Sequence, residues 1–147
     1  MNYCTQAQLE TVVGTTLIQQ LTDDELTGSG NAQIAVRVAK ACTDASSVID
    51  GFLRLRYSVP LASPWPALVT KLAQDLALFE LHRRREHEVG MPAGALQAQQ
   101  QALAQLKAMR DGDMDLGVEP PPAASSASYG SAESDEPLFT GETLEEF

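Results

Sequence analysis

The chain has 147 residues, of which 44% are hydrophobic, enough for one ordinary domain with some length left over. Its 20 acidic and 10 basic side chains give a formal charge of -10. Because phosphate binding needs clustered Lys and Arg, this balance argues against a protein whose main task is to coat nucleic acid.

The first residues lack a basic region followed by an apolar one, and no apolar run approaches the roughly 18 residues that span a bilayer. We therefore expect a protein that is made and kept in a cytosol and has no membrane contact. Cys4 and Cys42 do not form a C-x-x-C motif. In a reducing compartment we expect both to be small core or interface residues rather than a disulfide.

The first 31 residues predict two short helices and a loop. Thr5-Gln6-Ala7-Gln8 has the form of a capping box and starts a helix that ends before Gly14. A second brief helix is predicted from Thr16 to Leu21. Residues 22–30 form an exposed acidic loop with glycines, which Asn31 closes as a helix N-cap.

A long helix is predicted from Ala32 to about Tyr57, which would be about 40 Å long. Gly51 inside it indicates either a close helix contact or a bend. Apolar residues recur at steps of three and four along this helix, at Ile34, Val38, Ala41, Ala45, Val48, Phe52 and Leu55.

Residues 58–66 hold three prolines and predict an extended connection in which Trp65 is a packing anchor rather than a ligand platform. The next helix is predicted from Pro66 to about Glu88. It is apolar well beyond one stripe, so it is either central to the fold or shared with a second subunit. Its main face carries Leu68, Leu72, Leu76 and Phe79.

A final helix from Ala95 to about Arg110 has a narrower seam of Leu96, Leu103 and Leu106 and is predicted to be a supporting helix. The predicted fold class is all-α: a small helical bundle with one long helix, in residues 1–117, followed by an extended C-terminal tail.

The tail, residues 118–147, is predicted to be a Pro- and Ser-rich linker followed by a docking peptide. It holds seven acids and no Lys or Arg, and such a composition cannot bury enough surface to fold alone. Large apolar residues return among the acids near its end, as expected of docking anchors. These are Leu138, Phe139, Leu144 and Phe147.

The chain offers little for catalysis. It has no phosphate-binding loop and no nucleophile elbow. His82 and His87 are five residues apart, which places them about 140° apart on a helix, too far to share a metal. The acids at 23–25 lack the alternate spacing of a calcium loop. We expect no enzyme activity, cofactor or metal.

Arg83, Arg84 and Arg85 stand at the predicted C-terminal end of a helix. They could simply offset the helix dipole and pair with nearby acids, namely Glu80, Glu86 and Glu88. Alternatively they could contact an acidic partner, such as the tail of a neighbouring subunit, or line a passage for DNA. Arg54, Arg56 and Tyr57 make a second, similar group at the end of the long helix.

Three blocks carry a resemblance. The most specific is Asp50-Gly51-x-Leu53-x-x-Arg56-Tyr57-x-Val59-Pro60-Leu61, followed by Leu76-Ala77-Leu78-Phe79-x-Leu81-His82-x-Arg84-Arg85 and by Leu138-Phe139-Thr140-x-x-x-Leu144-x-x-Phe147. In this order the chain resembles the Mu-like phage and prophage family of head-tail connector proteins.

The resemblance implies a helical adaptor in the virion neck. Copies would form a homo-oligomeric ring of about twelve subunits. The ring would sit beneath the portal protein and meet a tail terminator or other neck protein, while DNA passes through its lumen without specific binding. Two other functions stay open from the residues alone: a cytosolic helical protein-interaction adaptor, and a small DNA-binding protein that uses Arg83 to Arg85.

Overall fold

The computed structural model describes residues 1–24 and 32–118, and the side chain of Val89 is not among the described features. In these ranges the protein is all-α, as predicted, and contains no strand. Its helices are α1 (Gln6–Val13), α2 (Thr15–Thr22), α3 (Ala32–Leu53), α4 (Ala67–Arg84), α5 (Glu86–Val89) and α6 (Ala93–Asp111).

Helix α1 begins at the predicted capping box. The Thr5 side chain accepts a hydrogen bond from the backbone N–H of Gln8, and the Gln8 side chain accepts one from the backbone of Thr5. Gly14, with φ of 84°, ends α1 and directly precedes α2. The two predicted short helices are therefore confirmed, with α2 one residue longer at each end than predicted.

The predicted exposed loop was wrong at its start, because Thr22 ends α2 and is fully buried and Asp23 is 5% exposed. The rest of that loop and the predicted N-cap Asn31 lie outside the described residues, except Asp24.

Helix α4 lies at the centre of the bundle and packs against α1, α2, α3 and α6. This position explains why its apolar surface is wider than one stripe, because neighbours cover it on several sides. The central position was one of the two predicted alternatives. Its buried residues are Val69, Leu72, Ala73, Leu76, Ala77, Leu81 and His82.

The C-terminal part of α3 was predicted wrongly in two respects: where the helix ends and which of its apolar residues face the core. The helix ends at Leu53, and residues 54–56 form a turn before the connection. Ile49 and Leu53 are fully buried, whereas Val48 is 40% and Leu55 71% exposed. Val48 and Leu55 of the predicted stripe therefore face away from the core, while Phe52 packs against it only in part.

Helix α4 is also shorter than predicted, since Arg85 leaves helical geometry with φ of -117° and ψ of 25°. The four-residue α5 follows it and ends at Gly90. In α6 the predicted seam is correct at Leu106, which is buried, and wrong at Leu96, which is 42% exposed. Ala102 and Met109 are buried in α6 beside Leu106.

Residues 58–66 are a non-helical connection, as predicted, with cis peptide bonds before Pro60 and Pro64. None of the helices in the described ranges has both the length and the apolar character needed to cross a membrane. The division of the chain at residue 117 stays a prediction. Val118, the last described residue, packs partly against the core.

Candidate interaction surfaces

The C-terminal end of α2 is held by three arginines from other helices. The last carbonyls of a helix have no partner inside it, so they accept hydrogen bonds from elsewhere. Arg37 of α3 donates to the carbonyl of Thr22, Arg84 of α4 to that of Leu21 at 3.0 Å, and Arg85 to that of Gln20.

Asp24 joins the same cluster just after α2. Its carboxylate pairs with Arg84 and, at 3.1 Å, with Arg37, while Arg85 lies 4.0 Å away. The Arg84 guanidinium, and to a lesser extent those of Arg37 and Arg85, holds the pKa of this carboxyl below its ordinary value. We call Arg37, Arg84, Arg85 and Asp24 the α2 clamp.

The structural role considered for Arg83 to Arg85 is therefore largely confirmed. Arg83 pairs with Glu80 at 2.6 Å, and Arg85 pairs with Glu88, both at the predicted helical spacing. The principal contacts of Arg84, to Leu21 and Asp24, lie about 60 residues away in sequence. A contact between these arginines and an acidic partner or DNA stays a prediction.

Arg56 also serves the fold. Its guanidinium donates to the carbonyl of Met109 at 3.1 Å, in the last turn of α6, and lies 5.8 Å from the centroid of the Tyr57 ring. Gly112 ends α6 with φ of 96°, and a Cβ added there would lie 3.4 Å from Arg56. Arg56 therefore links the turn after α3 to the end of α6.

Arg54 differs from its neighbour. It is exposed, and within residues 1–24 and 32–118 its guanidinium makes no hydrogen bond or ion pair. It lies at a shallow depression between the ends of α3 and α6. The residues around this depression, which we call the α3 end patch, are Val48, Gly51, Phe52, Arg54, Leu55 and Arg110.

Trp65 acts as the predicted packing anchor. Its half-buried ring meets Tyr3 edge to face, with centroids 5.3 Å apart, and its indole N–H donates to the Thr70 hydroxyl at 3.0 Å. Tyr3 in turn donates its phenol proton to Asp50 and accepts the backbone N–H of Leu61 at 2.8 Å. Tyr3 was not predicted as a functional or structural residue, because its partners lie too far along the chain to form a local pattern.

A second groove contains His82. It lies between the early helices, α4 and the start of α6, and is lined by Val13, Leu17, Leu78, His82, Ala95 and Ala98 among others. His82 is 7% exposed, its Nδ1 has no partner among the described residues, and burial lowers its pKa. His82 is therefore a neutral, largely buried side chain at ordinary pH.

Within the described ranges, no three His, Cys, Asp or Glu side chains are placed to hold a metal ion. Cys4 and Cys42 are both buried and free, which agrees with the predicted core role. They lie close enough to share a hydrogen bond, which together with burial raises the pKa of the Cys4 thiol. Leu138, Phe139, Leu144 and Phe147 lie outside the described residues.

Comparison with known proteins gives one clear similarity. The family model described as bacteriophage Mu, Gp36 matches residues 3–133, which is most of the chain and all of the described residues except the first two. No curated protein sequence matches.

Proposed function

Because the chain belongs to the bacteriophage Mu Gp36 family, we propose that it is a structural protein of a phage virion, a subunit of the connector ring that joins the head to the tail. The family match over residues 3–133 is the observation on which this proposal depends. Copies of the chain would form a ring of about twelve subunits beneath the portal protein. A tail terminator or other neck protein would bind its opposite side.

The exposed apolar residues of the body support an assembly role. Leu55 is 71%, Val36 60% and Val12 57% exposed, and all three lie in or just after helices. Single exposed apolar side chains are ordinary, but at the α3 end patch Leu55 adjoins Val48 and the half-buried Phe52. A ring subunit needs such surface because each copy contacts two neighbours.

The arginine contacts favour this function over a DNA-binding protein. Arg84, Arg85 and Arg56 donate to backbone carbonyls of the same chain, so they are already occupied. A protein that binds duplex DNA tightly needs several cations free to replace the counterions of phosphates. An acidic ring in which Arg56, Arg84 and Arg85 are committed internally would let DNA slide through its lumen without specific binding.

We further propose that the protein is not an enzyme and that its activity is assembly. Two groups with shifted pKa have structural partners: Tyr3 bonds to Asp50 and Leu61, and Asp24 bonds to arginines of the α2 clamp. Perturbed groups at a catalytic centre would instead converge on a cleft that admits a substrate.

Deletion of the gene from a phage or prophage that encodes it tests the proposal. We expect DNA-filled heads and finished tails that do not join, with full restoration by the intact gene supplied in trans. The chain should also be detected by mass spectrometry in purified virions, and imaging should place it in the neck. Normal virions from the deletion would refute the connector role.

Two further measurements separate the rival functions. A cytosolic adaptor would be absent from purified virions and would purify as a monomer or small complex with a host protein. A DNA-binding protein would show duplex affinity that falls steeply with added salt. A connector predicts neither result, and its purified ring, where one forms, should be a single large particle.

A further inference from the structure

The α3 end patch has the form of a small docking surface. Its apolar floor consists of Val48, Phe52 and Leu55, beside which Gly51 leaves an open notch. Arg54 and Arg110 complete its lining. The patch therefore combines large apolar contacts with positive charge, which suits a peptide with apolar and acidic residues.

Gly51 is the first sign that something outside the body uses this surface. Glycine weakens a helix interior relative to alanine, so an exposed helical glycine needs a reason. Apart from its chain neighbours and the backbone of its own helix, no described atom lies within 4 Å of the position that its Cβ would take, so no close contact with another described helix accounts for it. The space at Gly51 remains available to another segment.

The two arginines that line the patch are the second observation in favour of a partner outside the body. Arg37, Arg56, Arg84 and Arg85 all donate to backbone carbonyls of other helices. Arg54 has no such partner among the described residues, and Arg110 pairs there with its own neighbour, Asp111, at 2.7 Å. Both arginines are exposed. They can therefore accept an incoming carboxylate without breaking a contact that holds the fold together.

We propose that the patch binds the C-terminal segment, residues 137–147, of a neighbouring copy of this chain. The segment reads Pro-Leu-Phe-Thr-Gly-Glu-Thr-Leu-Glu-Glu-Phe: four large apolar residues, three glutamates and no base. Leu and Phe side chains match the apolar floor, and the glutamates match Arg54 and Arg110. The proposal rests on the ring, because only a ring brings a second copy alongside every patch.

The length of the tail fits a neighbour. Leu116 donates its backbone N–H to the Tyr57 hydroxyl at 3.1 Å, so the described chain ends close to the end of α3 and to its own patch. Residues 119–136 could extend over about 60 Å. A body of this size is about 35 Å across, so the equivalent patch of an adjacent subunit lies within reach.

Cross-linking in intact virions tests the proposal. Phage would be grown with two full-length chains, one carrying Ser47→Cys, one turn before Gly51, and the other, distinguished by a tag, carrying Thr143→Cys. Both substitutions keep the apolar residues of patch and tail. Cys4 and Cys42 are buried and can stay in place. We expect a disulfide between the two chains under mild oxidation.

Two matched controls accompany it. Gln97→Cys, exposed near the start of α6 and about 20 Å from Arg110 along that helix, should yield about fivefold less cross-link to Thr143→Cys, because the tail is concentrated only at the patch. Arg54→Glu should lower the Ser47–Thr143 yield about threefold or more, whereas Lys40→Glu, about four turns earlier on α3, should not.

The outcomes separate the two proposals. If the chain is absent from virions, the connector function fails. If the chain is present and equal cross-links form at Ser47→Cys and Gln97→Cys, the docking site is wrong while the connector function stands. A cross-link that forms only when both cysteines are on the same chain would show that each tail binds its own body, which also overturns the proposal.

Discussion

Tyr3 donates the hydrogen bond of its phenol to the carboxylate of Asp50, a residue 47 positions further along the chain. The Tyr3 hydroxyl oxygen also accepts a hydrogen bond from the backbone N–H of Leu61. The backbone N–H of Tyr3 donates to the Ser46 hydroxyl at 2.9 Å. The start of the chain is therefore fixed to α3 and to the proline-rich connection at once. Tyr3 is only 1% exposed.

Tyr3→Phe is expected to destabilise the protein by about 2 kcal/mol, because it leaves the Leu61 N–H and one Asp50 oxygen without their partner in or near the core. Urea unfolding followed by circular dichroism measures the change. Tyr57→Phe is a useful comparison, since Tyr57 also bonds to a backbone N–H and a carboxylate. An unchanged unfolding midpoint in Tyr3→Phe would contradict the buried network.

Alkaline pH should weaken the protein through the same residue. Burial and the Asp50 carboxylate raise the pKa of Tyr3 to about 12, from an ordinary value of 10.0. A raised pKa means that the folded state favours the neutral phenol, so this contribution is complete below pH 10 and is lost as the pH rises toward 12. Tyr3→Phe should lose less stability than the parent chain over that range in parallel urea titrations.

Substitutions at Arg84 and Arg83 should lower the stability by different amounts, although the two residues are adjacent. Arg84→Gln removes the donor to the Leu21 carbonyl and the partner of Asp24, and we expect a loss of about 1 to 2 kcal/mol. Arg83→Gln removes only an exposed pair with Glu80, so about 0.5 kcal/mol or less should be lost. Thermal unfolding of both variants at one salt concentration measures the two losses of stability. Equal effects would mean that the α2 clamp adds no stability beyond an ordinary surface pair.

Replacing either of two glycines with alanine should change the free energy of unfolding in opposite directions. Gly51→Ala adds a methyl group where no described atom outside its chain neighbours and its own helix backbone is within 4 Å, so the isolated chain should gain about 0.5 to 1 kcal/mol. Gly112→Ala forces a positive φ of 96° on a side chain that also meets Arg56, and should cost about 1 kcal/mol or more. Denaturant titration of the two variants beside the parent chain checks both signs.

A chain that stops after Gly117 should keep a folded body but fail to join heads to tails. The last hydrogen bonds of the described body lie at Leu116 and Gly117, so the cut spares them. The expected readouts are a cooperative unfolding transition and free heads and tails in a complementation assay. Normal virions from this variant would contradict the role proposed for the tail.

The sequence predicted the fold class and the order of helices because capping, glycine and proline signals are local. It failed on the end of α3, where Val48, Ile49, Phe52, Leu53 and Leu55 offer two possible apolar faces. The choice between these faces is made by what packs against the helix. Ile49 and Leu53 are buried there, and periodicity alone cannot select them.

The interaction surfaces were predicted less completely. The arginines at 83–85 were found because they are consecutive and have acids within one helical turn. Asp24 was not predicted as their partner, nor Arg37 as a further arginine of the α2 clamp. A contact between residues more than ten positions apart leaves no regular spacing in the sequence. For the same reason, Arg54 and Arg56 were grouped together, although only Arg56 donates to α6.

The hydrogen bond from Leu116 to the Tyr57 hydroxyl also orders events during synthesis. Translation runs from the N-terminus, so Tyr3 must wait for Asp50 and Leu61, and Tyr57 must wait for Leu116. The body therefore cannot close until Leu116 has been made and has left the ribosome. Tyr57 stays without the partner of its hydroxyl until nearly the whole described body has been synthesised.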